Sequence, residues 1–151
     1  MTANVRSLTA YTLFCDDIRQ ELGGKLSAMG IYQGYIGIDA NEVIFPKLVA
    51  WTVLQMPYLW VGSQAQVQLW DRDRLLIEAQ LNFEAPPGPP SDEAKSDAAH
   101  STINIPVEMV PFKAQVGMEL RVTFTASDLS YESDVIRVVR PSAAATTCEI
   151  C

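Results

Sequence analysis

The most reactive side chains of the sequence belong to a single histidine and three cysteines. Nucleophilic catalysis needs a nucleophile beside a base, and no Gly-flanked serine or cysteine stands near His100. Cys148-Glu-Ile-Cys151 has the C-x-x-C spacing of zinc and redox sites. However, a zinc ion needs four ligands, so that both Cys15 and His100 would have to complete the set. We therefore predict reduced free thiols, no catalytic residue, no metal centre and no cofactor.

Carboxylates are the next candidates, because paired acids can exchange protons and clustered acids can bind Ca²⁺. Most of them lie at turns or at outward strand positions, where solvation is the expected role. Asp71 and Asp73 alternate with Arg72 and Arg74, which can neutralise them locally. No stretch has EF-hand spacing. A calcium- or ligand-binding sandwich stays open as an alternative, with oxygen donors drawn from Asp71, Asp73, Asp39, Asn41, Glu42, Asp128, Glu132 and Asp134.

Length and composition indicate one globular domain, since the chain has 151 residues, 48% of them apolar and 19% charged. The formal net charge is −7. Surfaces that bind nucleic acid or anionic membranes carry an excess of cationic residues, so we predict neither kind of partner. The N-terminal stretch lacks the apolar core of a signal peptide, and no run has the length of a membrane span. The sequence thus predicts a soluble, unexported protein.

Polar and apolar residues alternate along much of the chain, and this period of two is typical of strands. Stretches 64–70 and 75–83 both alternate, and the short polar connection 71–74 predicts a hairpin between them. The positions predicted to face inward are Ala65, Val67, Leu69, Leu75, Ile77, Ala79, Leu81, Phe83, Leu120, Val122, Phe124, Ala126, Ile136 and Val138.

The apolar runs predict about eight strands, near 8–15, 25–32, 35–38, 47–56, 64–70, 75–83, 101–110 and 119–126, with one near 135–140 as the substitute for the weak third. Residues 16–22 could hold one helical turn, and no longer window keeps helical spacing. Many short strands separated by Gly, Pro and Asp indicate an all-β fold. We predict a two-sheet antiparallel sandwich, either immunoglobulin-like or jelly-roll-like.

Two segments fall outside this pattern. Residues 84–100 contain four prolines and predict a long solvated loop within a sandwich domain spanning 1–141, and residues 142–151 predict a tail. A partner could be contacted by this loop or by the apolar cluster at 58–60, which follows a proline. The possible partner-contact residues are Tyr58, Leu59, Trp60, Pro86, Pro87, Pro89 and Pro90.

Residues 14–32 carry the most distinctive pattern, F-C-D-D-I-R-x-E-x-x-G-K-x-S-x-x-G-x-Y. It predicts a strand, a tight charged corner and a second strand. Local ion pairs of Arg19 and Lys25 with the neighbouring acids can hold such a corner. The predicted corner residues are Asp16, Asp17, Arg19, Glu21, Gly24, Lys25, Gly30 and Tyr32, with Gly23 and Gly24 at positive φ and Gly30 at a bulge.

This pattern resembles an uncharacterised family of small bacterial and phage proteins. The resemblance covers 19 residues closely and 47–83 loosely, and it implies a phage or prophage setting without naming a catalytic residue. The sequence then predicts a non-catalytic protein that acts through protein contacts with a capsid, another virion protein or a further copy of itself. Its location would be the virion or the bacterial host cytoplasm. A soluble module that binds one host protein is the alternative, since an acidic chain suits a basic partner surface.

Overall fold

The computed structural model describes residues 9–57, 64–82, 100–126 and 129–142. These residues form thirteen strands and no helix, which confirms the predicted all-β fold. The described residues accordingly contain no helix that could span a membrane. The strands are β1 (Thr9–Cys15), β2 (Asp17–Gln20), β3 (Leu26–Met29), β4 (Tyr35–Gly37), β5 (Glu42–Phe45), β6 (Leu48–Pro57), β7 (Gln64–Asp71), β8 (Arg74–Asn82), β9 (His100–Met109), β10 (Phe112–Gln115), β11 (Glu119–Ala126), β12 (Leu129–Glu132) and β13 (Ile136–Val139).

Two larger sheets make the sandwich. The first has the order β1-β6-β9, and the second has the order β4-β13-β11-β7-β8, with β12 also paired to β11. All of these pairs are antiparallel except β13 with β4, which is parallel. The strand count of about eight is wrong, because β2, β5, β10 and β12 are separate strands of four residues each that the apolar runs did not resolve.

The core lies between the two sheets, where both contribute every second residue to one apolar cluster. Across the first sheet, Phe14, Ala50 and Val107 form one row of it. In the second sheet, β7 and β11 each bury alternate side chains, and Leu69 and Phe124 have no exposed surface. The inward faces predicted for β7, β11 and β13 are therefore confirmed.

Strand β8 departs from its predicted face at its beginning. Ile77, Ala79 and Leu81 are half-buried, but Leu75 is 41% exposed. The pairing shifts between Leu69 and Trp70, so that Trp70 faces Leu75 and Leu76 becomes the extra residue. Because side chains alternate with a period of two, this irregularity moves Leu75 off the inner face. The prediction that Leu75 faces inward is wrong for this reason.

One long ribbon connects the sandwich to a small sheet. β5 pairs with β10 in the same register in which β6 pairs with β9, from Glu42 opposite Gln115 to Pro57 opposite His100. The ladder is interrupted at residues 46–47 and 110–111, where each strand contains a proline that lacks an N–H donor. Next to the interruption, the rings of Phe45 and Phe112 stack with centroids 6.3 Å apart.

Several sequence predictions fall on residues outside the described ranges, namely the proline-rich loop up to residue 99, the tail from residue 143, and Tyr58, Leu59, Trp60, Phe83, Pro86, Pro87, Pro89, Pro90, Asp128, Cys148 and Cys151.

Candidate functional site

The corner motif folds as a hairpin made by β2 and β3. The pairs run from Asp17 opposite Met29 to Gln20 opposite Leu26, and the Glu21 N–H donates to the Lys25 carbonyl at 2.8 Å. The helical turn predicted at 16–22 is wrong, because these residues pair in a ladder. The tip reverses direction at Gly23 and Gly24, whose φ angles of 81° and 74° favour glycine. The prediction of positive φ at this pair is confirmed.

Asp16, Gly30 and Tyr32 hold the base of the hairpin. The Asp16 N–H donates to the Met29 carbonyl at 2.9 Å, and the Tyr32 hydroxyl donates to Asp16 Oδ1 at 2.5 Å. Burial raises the pKa of Tyr32, and the Asp16 carboxylate raises it further. The phenol therefore stays protonated and remains a donor at neutral pH. Gly30 has a φ of 65°, and an added Cβ would stand 2.0 Å from Asp16 Oδ2.

Lys47 links the hairpin to the first sheet. Its Nζ lies 2.8 Å from Asp17 Oδ1 and 3.0 Å from Glu108 Oε1, so one ammonium group joins β2 to β9. Arg19 makes the predicted local ion pair, with Nε 3.4 Å from Asp17 Oδ2. Lys25 makes no ion pair with any described residue, and thus only half of the predicted local pairing forms. Sequence reasoning missed Lys47 and Glu108.

The ion pair between Lys47 and Asp17, which we call the bridge, shifts the pKa values of both residues. Hydrogen bonding to Lys47 lowers the pKa of Asp17 below its ordinary 3.8. The hydrogen bonds to Asp17 and Glu108 raise the pKa of Lys47 above its ordinary 10.5. The Asp17 contribution to stability is thus present above its ordinary pKa and lost as the pH falls through the lowered value. The Lys47 contribution is present below its ordinary pKa and lost as the pH rises through the raised value. Between these limits the bridge is intact.

Replacing Lys47 with methionine is expected to raise the pKa of Asp17 towards its ordinary value, because the main donor to the carboxylate is removed. A ¹³C NMR titration of the carboxyl groups measures this shift. The matched control is Lys25→Met, which removes one positive charge from the same hairpin but no contact to Asp17. An Asp17 pKa that stays low in Lys47→Met, or rises equally in Lys25→Met, would contradict the bridge.

The hairpin exposes apolar side chains at its tip and base. Leu22 at the tip is 98% exposed, and Met29 and Ile31 at the base are 44% and 46% exposed. A single exposed apolar residue is ordinary, but three within the segment 22–31 are of the kind that contact other proteins. We call Leu22, Met29 and Ile31 the hairpin surface.

The described part of the chain also limits the chemistry that can be proposed. Cys15 is fully buried, and burial raises the pKa of its thiol, which disfavours the nucleophilic thiolate. Asp71 accepts hydrogen bonds from Arg74 and from the Glu119 N–H. Among the described residues there is no group of three or more His, Cys, Asp or Glu side chains placed to hold a metal ion.

Comparison of the chain with protein-family models, with curated proteins and with solved structures found no match in any of the three. The resemblance of the corner motif to an uncharacterised family of small bacterial and phage proteins therefore stays a prediction. What the fold and the site define is a class: an all-β sandwich domain with a braced hairpin that presents apolar side chains to solvent.

Proposed function

We propose that this protein is a non-catalytic phage or prophage protein that acts through protein–protein contacts, as a virion structural component such as a capsid decoration protein. The hairpin surface is the observation that carries the proposal. Leu22 is 98% exposed at the end of a two-stranded hairpin. Covering such an apolar side chain with another surface removes it from water, which lowers the free energy.

The way the hairpin is held favours binding. Hydrogen bonds at its base join Asp16 to Met29 and Tyr32, and Lys47 joins its first strand to β9. At the tip, the bond from Glu21 to the Lys25 carbonyl closes the turn. A contact element that is ordered before binding loses less conformational entropy on association. The hairpin is therefore suited to hold a partner rather than to fold upon it.

The phage setting is supported by where the motif lies. The residues that carry the resemblance, 14–32, are those that build the hairpin and its base. A close resemblance centred on one contact element suits a shared mode of attachment. The net charge of −7 adds a preference for a basic partner surface, since opposite charges steer association.

The test compares particles of the encoding phage or induced prophage that contain the parent chain or Leu22→Asp. Mass spectrometry of purified particles gives the amount of this chain relative to the major capsid protein. We expect the parent on the particle and a loss of about tenfold or more for Leu22→Asp, because a carboxylate in an apolar contact has to lose its water. The control is Ile44→Asp, which replaces a 65% exposed side chain on β5, outside the hairpin.

Two outcomes would overturn the proposal. The first is absence of the parent chain from purified particles together with its recovery in complex with one host protein, which would favour the host-directed module. The second is retention of Leu22→Asp on particles at the level of Ile44→Asp, which would remove the hairpin surface from the contact.

A further inference from the structure

The first sheet of the sandwich ends in two edge strands, β1 and β9. The backbone of β1 alternates between groups that bond β6 and groups that point away from it. The Phe14 carbonyl accepts the Tyr32 N–H at 2.8 Å, so Phe14 is one of the residues that point away. By the same alternation, the N–H and C=O groups of Ala10 and Thr12 also point away from β6. No described residue outside β6 hydrogen-bonds to these four backbone groups.

The open part of this edge is short and symmetric. The segment at Tyr32 covers β1 from Phe14 onward, and no other described segment covers this edge at residues 9–13, which have Tyr11 at their centre. Over its whole length β1 has no charged residue, no proline and no shift in its register with β6. Edge strands without such features are templates for pairing with another chain.

The opposite edge of the same sheet is protected. Leu13 hydrogen-bonds to Trp51 of β6, so the backbone N–H and C=O of Trp51 point towards β1. Trp51 pairs on its other side with Pro106 of β9, and the backbone of Pro106 therefore points away from β6, towards the free edge. A proline at an outward position removes a donor from the free edge. The exposed carboxylate of Glu108 follows two residues later on the same strand. Within the described ranges, the β9 edge thus carries features that disfavour pairing, and the β1 edge carries none of them.

We propose that β1 pairs antiparallel with β1 of a second copy of this chain, about a two-fold axis at Tyr11. Ala10 then faces Thr12 of the second copy, and each pair exchanges two hydrogen bonds, which engages all four free groups of each chain. An axis at Thr12 would need the Phe14 carbonyl, which already accepts the Tyr32 N–H. The observed contact therefore excludes the axis at Thr12, and the axis at Tyr11 is the one that pairs all four outward groups of residues 9–13. The two three-stranded sheets then join into one of six strands.

The side chains fit this arrangement. Tyr11 is 50% exposed and would meet its own copy as a non-hydrogen-bonded pair, in which Cα atoms lie about 4.5 Å apart and side chains are close. Thr9 would lie opposite Leu13, which places no charge in the paired strands. This interface rests on the β1 edge alone and is independent of the hairpin surface and of the proposed function.

The test measures the oligomeric state of the pure full chain by size-exclusion chromatography with light scattering. We expect a mass of twice 16.7 kDa for the parent. Tyr11→Glu is expected to shift the mass to that of one chain, because two carboxylates would meet at the axis. Tyr35→Glu is the matched control, since Tyr35 is also a 50% exposed tyrosine, on β4, and should leave the dimer intact. A cooperative thermal transition in each variant shows that both fold, and Tyr11→Glu should melt at a lower temperature because it has lost its partner.

Cysteine cross-linking fixes the register. In a Cys148→Ser, Cys151→Ser background, Tyr11→Cys should form a disulfide-linked dimer on mild oxidation, since paired Cα atoms at about 4.5 Å lie within the disulfide range. Tyr35→Cys should stay uncross-linked. A single-chain mass for the parent, a dimer that survives Tyr11→Glu, or cross-linking through position 35 but not 11 would overturn the proposal. Leu22→Asp should remain dimeric, so failure of the hairpin function and failure of this interface are distinguishable.

Discussion

Replacing Phe124 with alanine is expected to cost about 3–5 kcal/mol of the free energy of unfolding, the range for removing a large core aromatic. Phe124 has the largest side chain among the fully buried residues of the described ranges. It lies in β11, where it pairs with Val67 of β7 on one side and with Tyr131 of β12 on the other. Removing its ring leaves a cavity that residues held in ladders on both sides cannot readily fill. The lost transfer free energy and the cavity therefore add.

Urea unfolding monitored by circular dichroism measures this loss as a lower midpoint at an unchanged slope. The control is Phe45→Ala, which removes an identical side chain from a half-buried position where the ring stacks on Phe112 beside the ribbon interruption. The smaller burial of Phe45 predicts a smaller loss. A midpoint for Phe124→Ala at or above that of Phe45→Ala would show that the core is not centred on β11.

Alternation in the sequence was a sound guide wherever a strand keeps its register. From Gln64 to Leu69 in β7 and throughout β11, polar and apolar residues alternate, and the structure buries the predicted members of both strands. The same pattern failed at Leu75, because a shift in pairing with β7 changes which face a residue occupies. The alternation within one strand cannot reveal such a shift, because the register depends on the partner strand as well.

The short strands were beyond the reach of pattern reasoning for a different reason. β5 and β10 have four residues each and continue the pairing of β6 with β9 beyond the prolines at 46 and 111. Their pairing comes from the long ribbon rather than from their own residues. β2 carries Asp17 and Arg19, whose charges reduced the strand signal, yet it pairs because the turn at Gly23 and Gly24 brings β3 beside it.

The candidate site was predictable in its local geometry but not in its attachment to the sandwich. Turn chemistry identified Gly23 and Gly24, because positive φ angles at glycine follow from backbone sterics alone. Gly30, which was predicted at a bulge, also has a positive φ. Lys47 lies 30 residues from Asp17, and its contact to Glu108 needs β6 and β9 to be neighbours. Predicting that Lys47 contacts both β2 and β9 requires the strand order, which the sequence pattern left open.

Gly30 is the position where the hairpin is most sensitive to substitution. Its φ of 65° costs a residue with a Cβ about 1–2 kcal/mol. In addition, the new Cβ would stand 2.0 Å from Oδ2 and 2.6 Å from Cγ of Asp16, so that this carboxylate has to move and release the Tyr32 hydroxyl. A hydrogen bond to a charged group contributes about 1.5–3 kcal/mol, less where water reaches it. Gly30→Ala is therefore expected to destabilise the fold by about 2–4 kcal/mol.

Two comparisons separate the backbone cost from the steric one. Gly24→Ala also places a Cβ at positive φ, 74°, but meets nothing within 4 Å, so its loss should stay near the backbone cost alone. In an Asp16→Ala background, most of the atoms that the new Cβ at position 30 would meet are gone, and the added cost of Gly30→Ala should fall towards that of Gly24→Ala. The urea midpoints of the parent, Gly30→Ala, Asp16→Ala and the double variant close this cycle, and that of Gly24→Ala gives the backbone cost. Equal losses for Gly30→Ala and Gly24→Ala in the parent would show that the Asp16 side chain moves aside without measurable cost, which would contradict the steric part of this prediction.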